Sequence, residues 1–505
     1  MFLLALLPIL VILALMLGFR WGASRAGGVG YLTALLVAVT AFGAGPELLA
    51  VAHGKALLLT LDVLFIIWMA FLLFRVADEA GAIRTIGRAL PHLTADKGMQ
   101  ALIIGWVFAS FLQGVGGFGV PVAVIAPIMG GLGFAPLAAV VIPSVGHSWA
   151  VTFGSLGSSF NAMMAATGLP AETLGPPAAF FLGVAGIGVG LMVAHAAGGW
   201  SAVRRLLVPA LLIGAAMGAG LYAAVAAGLW NVGSFLASLV GMAVAFPLAR
   251  RFRGKMGDNG ALDLRQLGVA LSGYAVLIVI TLGIQLIPGV RGTLGQVRFS
   301  LDFPEVSTAL GYVTPAGAGR QIPIFRHAGA ILLYASAAAY LIYRLAGWYT
   351  PGAARRILHG TVTRVMSSSV GIASMVAMAV VMQHAGMTET LAQGLAQGTG
   401  RFFPLVSPWI GALGAFMTGS NTNSNVVFAA LQMRTAELLG YSVAFILAAQ
   451  TSGGALGSVI APTKVVVGAS TGGMAGREGE VMRKMLGYTA ALIALMSLLT
   501  WVFAV

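Results

Sequence analysis

Apolar residues run along this chain in blocks of about twenty, separated by short polar loops, from one end to the other. A block of that length crosses the hydrocarbon core of a bilayer as an α-helix, whereas the alternating ten-residue strands of a membrane barrel are absent. The pattern predicts full spans near 2–18, 30–50, 57–74, 136–168, 177–197, 206–228, 232–249, 266–287, 327–345, 364–384, 441–468 and 486–504. Two more apolar stretches, 101–130 and 406–435, are interrupted at their centres by glycine or small polar residues, at Gln113–Gly119 and Thr418–Asn425. Each interruption leaves two arms of about a dozen residues, too short to span and long enough to enter and return. The expected fold is a single all-α polytopic membrane domain over residues 1–505, with about twelve transmembrane helices and two re-entrant hairpins.

Charge tests that topology, because counting either hairpin as one span would flip every later loop. Loops assigned to the cytoplasm carry twenty lysines and arginines; those assigned to the outside carry six, namely Lys55, Arg291, Arg298, Arg320, Arg326 and Arg401. The bias favours both termini outside. Residues 2–18 are expected to be a retained first span, since no charge precedes them and Arg20 and Arg25 follow, the reverse of a secretory signal. The longest outer loop, 288–326, is the one candidate for a small extramembrane cap, and its own chemistry looks unremarkable.

Composition narrows the class further. Only 8% of residues are charged against about 25% in soluble domains, so the formal charge of +14 is topological and no basic face for nucleic acid is present. Seventy glycines suit a bundle whose backbones approach closely and whose helices break around a substrate. The chain contains no cysteine. An offset of 305 sets Ala109–Gly114 over Gly414–Gly419, and 307 sets Ser144–Gly157 over Thr451–Lys464. The units 101–168 and 406–468 thus read as two copies of a hairpin plus a broken helix, in inverted orientation.

Broken helices leave unpaired backbone groups in the membrane, and a half-helix starting at a break directs amides and partial positive charge at the gap. Opposed tips would cradle a carboxylate. In the first tip, Gln113, Gly114, Gly116, Gly117 and Gly119 are expected to line the site; in the second, Ser420, Asn421, Thr422 and Asn425. The broken spans add Ser144, His147, Ser148, Thr152, Ser155, Ser158 and Ser159 in one copy. The other contributes Gln450, Thr451, Ser452, Ser458, Thr463 and Lys464, of which Thr451 and Lys464 are site candidates. His147 and Lys464 are the coupling candidates, although a lysine there could equally snorkel to the cytoplasm and a histidine could be a core residue. Asp62, five residues into its span, is expected to reach the outer interface.

These residues resemble the bacterial lactate permease family, which takes up lactate and glycolate. The likeness runs from Leu102 to Ser159 around Gly-Phe-Gly-Val-Pro and Gly-Leu-Gly-Phe, and from Gly411 to Arg477 around Thr-Gly-Ser-Asn-Thr-Asn-Ser-Asn, Phe-Ala-Ala-Leu-Gln and Ala-Pro. A shorter likeness, Ser420-Asn421-Thr422, is to the hairpin-tip motif of the wider ion transporter superfamily, whose members bind carboxylates and sodium there. The family usually shows a glutamate where this chain has Gln113 and an aspartate where it has Asn421, and serine-proline-glutamine-serine where Ala461-Pro462-Thr463-Lys464 stands. An amide cannot titrate, which puts the family's route of proton coupling in question.

The resemblance implies a secondary transporter for a small monocarboxylate, of the lactate or glycolate kind, in the bacterial inner membrane. It implies symport with H⁺ or Na⁺ and no bound cofactor or metal. The alternatives are an exchanger for another organic anion, uncoupled from protons at the tips, or an anion channel, though a channel would need a continuous polar stripe. No His-Glu-x-x-His, Gly-x-Ser-x-Gly or P-loop motif points to an enzyme. The expected partners are the carboxylate and membrane lipid, with a homo-oligomer left open.

Overall fold

The computed structural model describes residues 1–19, 21–89, 94–117, 119–252 and 263–505; Phe118 of the first tip and the loop charges Arg20, Arg253 and Lys255 lie outside the described residues. The chain opens with α1 (Phe2–Leu13), which runs into a π-helical turn, Ala14–Gly18. There follow α2 (Ala23–Phe42), α3 (Pro46–Glu79) and α4 (Ala82–Ala89). The 30–50 span is divided otherwise than expected. Gly43, at φ 68°, ends α2 and Pro46 opens α3, so two blocks read as 30–50 and 57–74 are helices of 20 and 34 residues.

The first hairpin enters as one continuous arm, α5 (Lys97–Gln100), a π-helical stretch Ala101–Phe108 and α6 (Ala109–Val115), and returns as α7 (Val120–Gly131). The second is α17 (Phe403–Thr418) and α18 (Asn421–Leu439). Three of these arms exceed the dozen residues expected. Polar residues that read as loop extend them: the Asp96 carboxylate caps α5 at the amide of Met99 (2.8 Å), and Arg434 and Glu437 belong to the last turns of α18.

A broken helix follows each hairpin. The first is α8 (Pro136–Gly146) and α9 (Ser158–Thr167); the second is α19 (Val443–Ser458) and α20 (Pro462–Thr471). At the offset of 307, Val459–Ala461, the second break, falls under Thr152–Gly154 within the first. Between the units lie α10 (Ala171–Ala226), split into two legs at Gly198–Gly199, then α11 (Gly233–Arg251) and α12 (Leu264–Leu286). Then come α13 (Pro288–Leu294), α14 (Ala328–Leu345), α15 (Ala353–His384) and the amphipathic α16 (Met387–Thr399). α16 escaped the hydropathy pattern because Glu389, Gln393 and Gln397 interrupt it. The chain ends in α21 (Glu478–Ala504).

Among the described residues, eleven helices are long and apolar enough to cross a membrane. The difference from twelve is one of bookkeeping at three places. Phe2–Met16 falls short, α10 counts once, and Lys97–Val115, an arm of the first hairpin, is itself long enough to count.

The loop 288–326 holds the departures from an all-α fold. Strands β1 (Arg298–Phe299), β2 (Asp302–Phe303), β3 (Val306–Ser307), β4 (Val313–Thr314), β5 (Gly317–Ala318) and β6 (Ile322–Pro323) pair as β1 with β6, β2 with β5 and β3 with β4. The result is one nested antiparallel finger. Near its tip the Ala309 amide donates to the Gly43 carbonyl (2.9 Å) and Thr314 Oγ1 lies 3.0 Å from His384 Nδ1, which ties the α2–α3 corner to the end of α15.

Glycine sets the closest helix contacts inside both units. A methyl on Gly146 would sit 1.9 Å from the carbonyl oxygen of Gly105; one on Gly453, at the corresponding place in the second copy, 1.9 Å from that of Pro408; and one on Gly411, 2.0 Å from that of Gln450. Gly453→Ala is therefore expected to force α17 and α19 apart and to cost about 3 kcal/mol, the upper end for overpacking, because the obstacle is backbone. Thermal unfolding in detergent should show a clear loss for Gly453→Ala and none for Gly28→Ala, where a methyl meets nothing within 4 Å.

The arrangement of the two hairpins also gives an accessibility prediction. Single cysteines introduced by Leu132→Cys, after α7, and Leu438→Cys, at the end of α18, should be labelled by an impermeant reagent from opposite sides, the former from the cytoplasm. Labelling from one side would sink the inverted arrangement.

Candidate functional site

Three helix starts converge on a small cavity between the hairpin tips and the helix breaks. Its lining comprises Ser158 and Ser159 at the start of α9, Ser420, Asn421 and Thr422 at the start of α18, and Lys464 in the first turn of α20, with Gln113, Val151, Ser155 and Gly419 completing it. The first amides of α9 and α18 have no helical carbonyl one turn back and carry partial positive charge, whereas α20 opens on Pro462, without an N–H, and the Lys464 amide is bonded to the Ala461 carbonyl (3.0 Å). No carboxylate lines the cavity. Its volume of about 20 Å³ holds a water and not a substrate.

Local backbone geometry makes this convergence attainable. Ser155 and Leu156 adopt φ 47° and 54° ahead of Gly157 at 73°, a left-handed run that turns the chain sharply into α9. For non-glycine residues such a conformation costs on the order of 1 kcal/mol or more, and strain of this kind clusters at functional sites. Gly117, at φ 54°, admits the Ser155 hydroxyl: a methyl there would lie 1.7 Å from Ser155 Oγ. In the second copy Gly454 makes room for Asn421 in the same way, with a methyl 2.1 Å from Asn421 Oδ1.

A buried polar network behind the cavity ties the two units together. The Asn421 amide donates to Thr152 Oγ1 (3.1 Å) and to the Thr451 carbonyl (3.2 Å), and the Asn425 amide to the Ser159 carbonyl (2.9 Å) and Thr451 Oγ1 (2.9 Å). The hydroxyls of Thr152 and Thr451 lie 3.1 Å apart, as do those of Ser159 and Thr422. Gln450, Ser424, Gln432 and Ser407 extend the chain of bonds towards α17. Because the Thr451 carbonyl can only accept, the bond fixes the orientation of the Asn421 amide and leaves its oxygen facing elsewhere. That oxygen and Gln113 Oε1 are both buried and without a partner. Both residues border the cavity, and unpartnered buried acceptors of this kind are uncommon in a folded protein.

Lys464 turns inward. Its ammonium donates to Ser458 Oγ (3.0 Å), and no carboxylate lies within ion-pair distance among the described residues. The side chain is half-buried and borders the cavity.

The other site candidates divide. Thr451 and Asn425 stand one layer behind the cavity and hold Thr152, Asn421 and Ser159 in place. Gly114 packs on the backbone of Phe235, Gly116 on the ring of Phe74, and Gly119 opens α7 near Val467, so none of these three lines the cavity. His147 ends α8 with Nδ1 2.6 Å from the Pro143 carbonyl; it too is absent from the lining, and its Nε2 is unpartnered. Ser155, Ser158 and Ser159 do line it, and the signal for them was the density of hydroxyls within the break.

Two larger cavities lie at the end of the bundle that carries the finger. One, about 520 Å³, is bordered by Lys55, Arg320, Gln383 and His384; the other, about 360 Å³, by Arg291, Arg320 and Arg326 with Asp62, Asn161 and Glu172. Asp62 does not reach the interface as expected. It is 2% exposed, and its oxygens accept from Arg320 Nε (2.9 Å), in the loop judged unremarkable, and from His327 Nε2 (2.7 Å), the N-cap of α14, both more than 250 positions away. His327 Nδ1 accepts from the Gly329 amide, so its Nε2 carries the proton that Asp62 receives.

Two helix hairpins and two broken helices meeting at a cavity within a multi-pass bundle form the kind of arrangement on which membrane permeases are built. The family model described as L-lactate permease matches residues 1–505, and the chain belongs to that family. It is 26% identical to the glycolate permease GlcA of Escherichia coli K12 (99% of this chain, 94% of that one) and 27% identical to the L-lactate permease of Bacillus subtilis (93% and 89%). The L-lactate permease of E. coli K12 is 25% identical over 87% of this chain and 84% of its own. Among solved structures, the YdaH transporter of Alcanivorax borkumensis aligns with a TM-score of 0.48 at 16% identity, covering 90% of this chain and 87% of that one.

Proposed function

We propose that this permease carries a small 2-hydroxy monocarboxylate, lactate or glycolate, across the plasma membrane, and that the substrate is held between the hairpin tips. The observation that carries the reading is the cavity itself: the N-termini of α9 and α18 and the Lys464 ammonium surround it, and no carboxylate opposes them. A carboxylate satisfies the Lys464 ammonium and the free amides, while the neighbouring 2-hydroxyl offers a donor to Gln113 Oε1 or Asn421 Oδ1. Membership of the family and the names of its relatives favour the same substrates. The small volume means that the tips must part to admit the substrate.

The same cavity favours one mode of energisation over the expected symport. Relatives of the resembled family place carboxylates where Gln113 and Asn421 stand, and a fixed lysine can substitute for a co-transported cation. The carrier would then exchange anions or follow their gradients. The test is uptake of labelled lactate, glycolate and other small carboxylates into proteoliposomes under separately imposed proton, sodium, voltage and counter-substrate gradients. Saturable uptake accelerated by internal lactate and indifferent to proton and sodium gradients is the expected result. Absence of uptake for every hydroxy acid would overturn the substrate class, and strict dependence on a proton or sodium gradient would overturn the exchange mode.

A further inference from the structure

The cavity of about 360 Å³ beneath the finger is built for an anion that nothing in the tip site uses. Arg291 and Arg326 face it, and with Arg298 they also border an adjoining open cavity of about 490 Å³ that includes Gln296. No carboxylate pairs with Arg291, Arg298 or Arg326 among the described residues. The nearby acids do not neutralise them: Asp62 is occupied by Arg320 and His327, and Glu172 stands alone against the group. Burial, and then the charges of Arg291 and Arg298, hold the pKa of Arg326 below its ordinary value, as expected of like charges gathered without a counter-ion.

The floor of this cavity leads towards the tips. Asn161 lines it from α9, within one turn of Ser158 and Ser159, which line the tip cavity. Its amide donates to Asn231 Oδ1 (2.9 Å) and to the Gly157 carbonyl (2.9 Å). The volume is that of a small-ligand site.

We propose that this arginine-lined cavity is a separate docking site for a small organic carboxylate, which is captured there from the face carrying the finger before it passes to the tips. The site shares with the proposed transport function only its ligand class. Arg291 and Arg326 supply the charge, and the Asp62–Arg320–His327 triad forms the wall on which they are set.

The absence of native cysteine allows a direct test with the full chain in nanodiscs of neutral phosphatidylcholine, where no anionic headgroup competes. Ala227→Cys places a thiol on the lining of the cavity of about 360 Å³, and its rates with sulfonate-bearing and trimethylammonium-bearing methanethiosulfonates are compared, each relative to a free thiol. The anionic reagent should be favoured by roughly tenfold or more, as in charge-steered association. Lactate should slow it, whereas chloride at the same ionic strength should not. Adding Arg291→Gln and Arg326→Gln should abolish the preference, and adding Arg291→Lys and Arg326→Lys should keep it, which separates charge from misfolding. Equal rates for the two reagents, a preference that survives the glutamine pair, or protection by chloride equal to that by lactate would each overturn the site. Loss of lactate uptake with a retained, carboxylate-sensitive preference would sink the transport reading alone.

Discussion

Lys464→Gln is expected to weaken substrate binding by roughly ten- to a hundredfold, the equivalent of about 1.5–3 kcal/mol for losing a hydrogen bond between charged partners. The ammonium spends one of its three donors on Ser458 and meets no acid among the described residues, so a half-buried charge is left to be satisfied by what the cavity binds. Glutamine keeps polarity and removes the charge. Lys464→Arg should recover only part of the affinity, because a planar fork cannot occupy the place of a compact ammonium against the first turns of α9 and α18. The measurement is substrate affinity in purified protein together with counter-substrate dependence in proteoliposomes. Near-normal affinity in Lys464→Gln would show that the lysine does not hold the carboxylate.

Asn421→Ala should cost a comparable ten- to a hundredfold in lactate affinity and should also erase discrimination against propionate, which lacks the 2-hydroxyl. Two effects combine. The amide that fixes Thr152 and Thr451 disappears, and so does the unpartnered oxygen offered to a hydroxyl. Asn421→Asp is the sharper probe. It is nearly isosteric, yet it sets a negative charge in a cavity that otherwise attracts one, so binding should fall at neutral pH and recover as acidification protonates the new carboxylate. A proton dependence that wild type lacks should appear with it. If Asn421→Ala and Thr422→Ala both left the transport constants unchanged in well-expressed protein, the site would lie elsewhere.

Much of this architecture was legible in the chain because lipid leaves few options. An apolar run interrupted by Gly116–Gly117 or by Ser420–Asn425 cannot continue as a lipid-facing helix, so the tips could be placed from sequence. The arms were harder, since hydropathy alone cannot distinguish a capped helical turn such as that at Asp96 from loop. Within the first tip, a cluster of glycines says that backbones meet and not what they meet: Gly117 admits Ser155, whereas Gly114 admits the backbone of Phe235. The arginine cavity was not legible at all. Arg291, Arg320 and Arg326 are scattered through a loop, and only the nesting of β1 on β6 and β2 on β5 brings them to Asp62.

The glycine contacts between α17 and α19 have a consequence for how this sequence can drift. Where Gly411, Gly453 and Gly457 rest on carbonyl oxygens of the facing helix, nineteen of the twenty amino acids are closed to the position, since even a methyl would lie within 2.5 Å of the oxygen it meets. Two residues beyond Gly411, Leu413 is exposed at the outer surface of α17, where any apolar residue of the right length serves equally in lipid. Tolerance to substitution therefore runs in stripes along the helix, with a face that permits almost any apolar residue beside a face that permits one. Relatives can diverge to about a quarter identity along most of their length while these backbone contacts admit no such freedom.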